Sequence, residues 1–146
     1  MSYTSGSHTV FHHRYHIVWI TKYRKPILRG EIGKRVRELL RQTCASSDVY
    51  IVKGHVSKDH VHMLVSVPPN LAVSDLVKRL KGRSSRLMLE EFGELRKVYW
   101  GRHLWARGYF AASSGNVTDE IIAEYIEKQS QLAPEDGDHD FSVEEL

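Results

Sequence analysis

Two histidines, His60 and His62, are separated by a single residue in a run of the sequence that favours a β-strand. Side chains alternate between the two faces of a strand, so both imidazoles project from one face and Val61 projects from the other. Two imidazoles spaced this way can bind one divalent metal ion. The pattern is equally met by two polar histidines on a half-exposed sheet face, so the pair alone leaves both interpretations open.

A second pair, Tyr125 and Gln129, lies four residues apart in the last predicted helix, which places both on one stripe of that helix. A tyrosine hydroxyl can act as the nucleophile in phosphoryl transfer, although its ordinary pKa of about 10 makes it a weak one. Imidazole nitrogens, an amide oxygen and water together suit Mg²⁺ or Mn²⁺. The alternative for Tyr125 is a place in the hydrophobic core.

The hydrophobic pattern predicts the elements that position these residues. The predicted order is β-α-β-β-α-β-α, with strands at 12–22, 49–56, 60–67 and within 98–113, and helices from Glu31 to Ser46, from Ser74 to Phe92 and from about Thr118 to Gln131. This order is typical of an α+β fold, a ferredoxin-like split βαβ antiparallel sheet, here with an additional C-terminal helix that carries the tyrosine.

Length and composition predict one domain at residues 8–131, between a disordered N-terminus at 1–7 and an acidic, disordered tail at 132–146. No apolar run reaches the roughly 18–20 residues that cross a bilayer. The single cysteine, Cys44, excludes an internal disulfide or a cysteine-cluster metal site and fits a reducing cytoplasm.

Charge is unevenly distributed along the chain. The tail contributes six of the 18 acids and no Lys or Arg, which leaves 12 acids against 21 bases in residues 1–131, an excess of nine positive charges. This balance favours a polyanionic partner. The second predicted helix has a basic stripe suited to contacts with phosphates, formed by Lys78, Arg79, Lys81, Arg83 and Arg86. A solvated surface is the alternative for each of them.

Two aromatic residues, Tyr23 and Trp105, could stack on unpaired bases. Both are interpreted as core residues, because their sequence neighbourhoods are apolar.

Four stretches of the sequence, in order, resemble the single-tyrosine transposases of small prokaryotic insertion sequences, the insertion-sequence 200/605 group. The run from Asp59 to Leu64 followed by Pro68-Pro69 resembles their HUH motif. The others are residues 15–19 with Lys22-Tyr23-Arg24, residues 81–85, and Trp105 with Tyr109-Phe110 followed by residues 124–127 and Gln129. The resemblance covers residues 8–131.

This resemblance implies a metal-dependent enzyme that cleaves and rejoins single-stranded DNA with hairpin ends through a 5′-phosphotyrosine intermediate. It implies Tyr125 as the nucleophile and His60, His62 and Gln129 as ligands of Mg²⁺ or Mn²⁺. It also implies a homodimer in which the sheets of two subunits join and the tyrosine helix can serve the partner's histidines. The single cysteine and the lack of a long apolar run, rather than the resemblance, indicate a cytoplasmic protein with no membrane partner.

Two other functions remain open at this point. One is a domesticated nickase of the same HUH type that acts on chromosomal palindromes. The other is a non-catalytic module that binds single-stranded nucleic acid on the same kind of sheet. The RNA-binding version of that module expects aromatic residues on its middle strands, and residues 60–67 contain none.

Overall fold

The computed structural model describes residues 13–100, 103–116 and 119–132. Its centre is a four-stranded antiparallel sheet with the strand order β2-β3-β1-β4. The elements along the chain are β1 (His13–Ile20), α1 (Gly30–Ser46), β2 (Tyr50–Val56), β3 (His60–Val67), α2 (Val73–Glu91), α3 (Gly93–Tyr99), β4 (Phe110–Ser113) and α4 (Asp119–Leu132). This is the ferredoxin-like α+β architecture that the sequence predicted, with the C-terminal helix α4 added.

The region after α2 differs from its prediction. Residues 93–99 form α3, and the strand β4 has only four residues. Val98, Tyr99 and Trp100 are residue types that favour strands, which explains the error. Leu95 and Tyr99 are four residues apart and both are buried, so the helical conformation places two apolar side chains against the core. Trp100 ends α3 in the left-handed conformation, at φ 57°.

One face of the sheet packs against α1 and α2 and contains the main hydrophobic core. The sheet contributes alternate residues of its central strands, among them Ile17 and Trp19 of β1 and Val61 and Met63 of β3. The helices contribute side chains such as Leu39, Leu40, Leu76 and Leu80, all buried. Burial of this apolar surface is the main stabilising term of the fold.

The opposite face of the sheet is covered by α4. Ile122 and Ile126 of α4 form a separate buried cluster with Val18 of β1, and Phe110 and Tyr125 pack at its edge. The Cα of Val18 pairs with that of His62 across β1 and β3, and directly opposed residues project from the same face. The histidine pair of β3 therefore lies on the face that α4 covers.

Parts of several predictions fall outside the described residues: the disordered N-terminus at 1–7, the first residues of the predicted domain at 8–12, the start of the last helix at Thr118, and the acidic tail, of which only Leu132 is described. None of the helices in the described ranges is long and apolar enough to span a membrane.

We expect Ile126→Ala to release α4 without unfolding the rest of the domain. The substitution removes about 2–5 kcal/mol of packing free energy from a cluster that is separate from the main core. Amide hydrogen exchange of α4 should accelerate by more than about tenfold, while the amides of β3 keep their protection. Ile121→Ala is the matched control, because Ile121 belongs to the same helix and is exposed. Equal acceleration in α4 and β3 would contradict independent docking of α4.

Candidate functional site

His60 and His62 occupy the start of β3, and both are buried, at 0% and 9% exposure. The Nδ1 atom of His60 lies 2.9 Å from Oδ1 of Asp59. An ionised carboxylate can only accept hydrogen bonds, so Nδ1 carries a proton, and in the neutral ring the lone pair is then on Nε2. A carboxylate that fixes the tautomer of an imidazole in this way is a common companion of metal-binding histidines.

Asp59 is held in turn by Arg24, whose Nε donates to Oδ2 at 2.8 Å. Burial by itself would raise the pKa of Asp59, but the hydrogen bond from His60 and the positive charge of Arg24 act in the opposite direction and lower it overall. The carboxylate is therefore ionised at neutral pH and accepts from both neighbours.

The turn at Lys22–Arg24 follows β1 and joins this pair to the rest of the fold. Tyr23 and Arg24 both have left-handed backbones, at φ 60° and 54°. This conformation costs about 1–3 kcal/mol for each non-glycine residue, and such strain is concentrated at functional sites. The turn directs Arg24 inward and leaves Tyr23 46% exposed. The prediction that Tyr23 is a core residue was wrong, whereas Trp105 is buried as predicted.

Two further histidines approach His62 from the neighbouring strands. Nδ1 of His16 in β1 lies 2.9 Å from Nε2 of His62, and the ring of His55 in β2 stacks on that of His62 with 5.9 Å between centroids. Neither residue has a role that the sequence alone predicts. Only the strand register brings them together, because His55 pairs directly with His62 while His16 lies on the diagonal.

Tyr125 lies on the same side of the sheet as the histidine pair. Its half-buried ring packs against Phe110, with 5.5 Å between centroids, and burial raises the pKa of its hydroxyl. Gln129 follows one turn later in α4, and its side chain is outside what the structure describes.

The described donors fit a divalent ion bound by two imidazoles. Within the described residues, no group of three His, Cys, Asp or Glu side chains is placed to hold a metal. His60 and His62 nevertheless share one sheet face, and Asp59 leaves the lone pair of His60 on Nε2. Such a set requires a further ligand of another type, and an amide oxygen is suitable.

A groove of about 1360 Å³ lies between α2, α3 and residues 103–109, and it reaches the turn at Lys22–Arg24. Among the described residues, six cationic side chains and a single carboxylate line it: Lys22, Lys78, Lys81, Arg86, Arg96, Arg107 and Glu90. Tyr23 and Tyr109 are exposed aromatic residues in its wall. The groove therefore combines positive charge with aromatic surface.

The motif at residues 81–85 holds one wall of this groove in place. Lys81 donates from Nζ to the carbonyl oxygens of Ala106 and Gly108, each at 2.8 Å, and burial lowers its pKa. Ser84 accepts from Trp105 Nε1 at 2.9 Å, and Ser85 accepts from the backbone amide of residue 104 at 3.1 Å. These contacts anchor the segment that follows α3 to α2.

The five basic residues predicted to contact DNA divide into two groups. Lys78, Lys81 and Arg86 line the groove. Arg79 and Arg83 bond instead towards α1: Arg79 donates to the hydroxyl of Ser47, and Arg83 donates to the side-chain oxygen of Gln42. Helical periodicity separates the two groups, and contact of any of the five with DNA stays a prediction.

The groove and the histidine pair meet at the end of β1. Ile20 lines the groove, and its Cα pairs with that of His60 across β1 and β3. Lys22 and Tyr23 line the groove, and the next residue, Arg24, bonds to Asp59. The groove thus reaches the end of β1 that pairs with His60 and the turn that bonds to Asp59.

Comparison with known proteins places this architecture in a family. The family model described as "Transposase IS200 like" matches residues 9–129. The transposase for insertion sequence element IS200 from Salmonella typhimurium is 38% identical over 125 residues, covering 86% of this chain and 82% of that protein. The ISDra2 transposase TnpA from Deinococcus radiodurans is 36% identical over 124 residues, covering 85% of this chain and 89% of that protein.

Solved structures of transposases have the same fold as this chain. The crystal structure of a candidate transposase from Deinococcus radiodurans R1 superposes with a TM-score of 0.79 at 33% identity, covering 87% of this chain and 98% of that one. A REP-associated tyrosine transposase bound to a REP hairpin shares the fold, with a TM-score of 0.54 at 11% identity over 87% of this chain and 70% of that one. On the family match and the two curated relatives, this chain belongs to the IS200-like transposases.

Proposed function

We propose that this transposase acts on single-stranded DNA, cleaving and rejoining the ends of its element through a covalent 5′-phosphotyrosine on Tyr125. The observation that supports this most directly is the histidine pair, His60 and His62, on the sheet face covered by the helix that contains Tyr125. Asp59 already fixes the tautomer of one of these histidines. Such an arrangement suits a phosphodiester held between a metal-binding pair and a hydroxyl nucleophile.

His60, His62 and Gln129 are the residues that would hold Mg²⁺ or Mn²⁺. When bound, a divalent ion supplies positive charge that polarises the scissile phosphate. Asp59 keeps the ring of His60 oriented through its 2.9 Å contact with Nδ1. Ile122 and Ile126 anchor α4 to the sheet and so set the height of Tyr125 above it.

In the cleavage step, the hydroxyl oxygen of Tyr125 bonds to phosphorus and releases its proton. The bond between phosphorus and the 3′ oxygen breaks, and that oxygen takes up a proton to become a free 3′-hydroxyl. The phosphotyrosine bond conserves the energy of the broken phosphodiester, so attack by another 3′-hydroxyl rejoins the DNA and restores the tyrosine. The ordinary pKa of a tyrosine, about 10, keeps its hydroxyl protonated at neutral pH before reaction, and burial raises the pKa of Tyr125 further.

The basic groove is the proposed path of the single strand. Lys78 and Arg86 are exposed on its α2 side and suit phosphates, while Tyr23 and Tyr109 offer faces on which unpaired bases can stack. Base stacking of this kind is tolerant of sequence and requires unpaired DNA. The groove therefore favours single strands over a duplex.

Hairpin ends and a homodimer complete the proposal. The REP-associated transposase that shares the fold was solved with a REP hairpin, which supports a hairpin as the ligand here.

Within the described residues, β2 and β4 are the edge strands of the sheet and each pairs on one side only. An edge strand can extend a sheet by pairing with a second copy, as the proposed homodimer requires.

Tyr125→Phe should abolish covalent attachment to DNA. Purified protein would be incubated with labelled single-stranded oligonucleotides from the DNA flanking its gene, with Mg²⁺ or Mn²⁺, and denaturing gels read for a protein–DNA adduct. We expect the adduct to fall below about 1% of its wild-type level, because the variant keeps the aromatic ring but lacks the nucleophilic oxygen. A chelator should have the same effect, and duplex DNA should give no adduct.

The matched control is Tyr109→Phe, which removes a hydroxyl in the groove wall and should leave the adduct intact. An adduct that survives Tyr125→Phe would show that another residue is the nucleophile. Tight binding to single strands without any adduct would point instead to a binding-only protein. Oligonucleotides from chromosomal palindromes are tested in parallel, and an adduct confined to them would point to a domesticated nickase.

Lys78→Gln should weaken binding of single strands in a salt-dependent way. For single-stranded DNA, the slope of log affinity against log salt falls by about 0.7 for each phosphate that the protein no longer neutralises. Fluorescence anisotropy in chelator would measure binding apart from cleavage. Arg79→Gln is the control, since Arg79 is the next residue of α2 but bonds towards α1. An equal decrease of the slope in both variants would show that the strand does not follow the groove.

The hydroxyl of Tyr125 should titrate above its ordinary value of 10.0 in the metal-free protein, because burial against Phe110 penalises the phenolate. The measurement is the difference in absorbance at 295 nm between the wild type and Tyr125→Phe as pH rises. Phe110→Ala opens the site to water and should move the midpoint back towards 10.0. A wild-type midpoint at or below 10.0 would contradict this packing.

A further inference from the structure

Arg24 is a buried cation close to the histidine pair. It is 1% exposed, and it comes from the turn after β1 rather than from the sheet itself. Burial of a guanidinium group costs free energy unless an anion and hydrogen bonds compensate. The anion here is the carboxylate of Asp59, whose side chain is likewise almost fully buried.

Asp59 connects Arg24 to His60 through the two oxygens of one carboxylate. Nε of Arg24 lies 2.8 Å from Oδ2, and Nδ1 of His60 lies 2.9 Å from Oδ1. The two contacts fix the plane of the carboxylate, because each oxygen is engaged by a different donor. The carboxylate in turn fixes the ring of His60 and keeps its proton on Nδ1.

Backbone hydrogen bonds of the turn place the guanidinium group of Arg24 beside Asp59. The amide of Thr21 donates to the carbonyl oxygen of Asp59 at 3.0 Å, and the amide of Leu28 donates to that of Lys58 at 2.9 Å. The amide of Arg24 itself donates to the carbonyl oxygen of Thr21 at 2.9 Å. These bonds hold the turn against the connection from β2 to β3, and they support the two successive left-handed residues that turn Arg24 inward.

We propose that Arg24 is a positioning residue for the metal site. It acts through Asp59 to hold His60 in the Nδ1-protonated form, which presents Nε2 to the metal. The part of this inference that concerns metal binding rests on the proposed function. The effect of Arg24 on the tautomer of His60 does not depend on that function. Because Lys22 and Tyr23 of the same turn line the groove, one rigid turn aligns the DNA path with a metal ligand.

The test compares Arg24→Met, Arg24→Lys and the wild type as full-length chains. Arg24→Met keeps an apolar stem but loses the charge, and Arg24→Lys keeps the charge without the planar fork. Arg35→Lys is the matched control, since Arg35 makes a similar 2.8 Å ion pair with Glu91 between α1 and α2. Folding is checked by circular dichroism, Mn²⁺ affinity by calorimetry, and the tautomer of His60 by ¹⁵N NMR of the metal-free protein at one pH.

We expect Arg24→Met to weaken Mn²⁺ binding about 10- to 100-fold, because Asp59 then no longer orients His60, and loss of the partner of a metal ligand usually has an effect of this size. Arg24→Lys should lose less, but at least about threefold. Arg35→Lys should match the wild type. The ¹⁵N spectrum should show His60 protonated on Nδ1 in the wild type and a mixture of tautomers in Arg24→Met.

Other outcomes separate this inference from the proposed function. Lower thermal stability in Arg24→Met with unchanged Mn²⁺ affinity and an unchanged tautomer would make Arg24 a structural residue only and overturn the inference. If Arg24→Met does not fold, Arg24→Lys decides, and wild-type affinity with a wild-type tautomer would overturn it. If the wild type binds no Mn²⁺, the metal-dependent function fails, and the tautomer alone then supports or overturns the role of Arg24.

Discussion

Strand β3 is buried on both faces. Because its side chains alternate with a period of two residues, one face contributes to the main core and the other carries the histidine pair. Val61, Met63 and Val65 face α1 and α2 and build the main core. His60 and His62 face the layer formed by α4. A shift of one residue in the pairing of β3 would exchange the two faces, placing imidazoles in the core and valines at the site. Because the core strongly opposes such a shift, it also fixes the position of the histidines.

The site is assembled from two layers that bury cores of different size. The sheet and its histidines are held by the large core, whereas α4 docks through a small cluster around Ile122 and Ile126. Elements that move during function are generally drawn from the less stable parts of a fold. An arrangement in which the histidines lie on the large core and the tyrosine helix on the small one suits the proposed reaction, in which a DNA end bonded to Tyr125 is carried from one partner to another.

The turn at Lys22–Arg24 has a larger role than its three residues indicate. It contributes Lys22 and Tyr23 to the wall of the groove, and it places Arg24 where its side chain bonds to Asp59, the partner of His60. The motif at residues 81–85 is similar in this respect, because Lys81, Ser84 and Ser85 fasten the opposite groove wall to α2. Two short polar motifs thus shape the groove chiefly through hydrogen bonds within the protein.

The sequence by itself determined the fold class, the ends of β3 and the candidate residues His60, His62 and Tyr125, because periodicity and short motifs are local properties of the chain. It missed the helix α3 and misjudged residues 98 and 99, where burial of Leu95 and Tyr99 outweighed strand propensity. It also misjudged Tyr23, which a left-handed backbone turns outward. Only the tertiary structure decided which side chains meet. His16, His55 and Arg24 reach the site through strand register and a buried ion pair, and both depend on contacts between residues far apart in the chain.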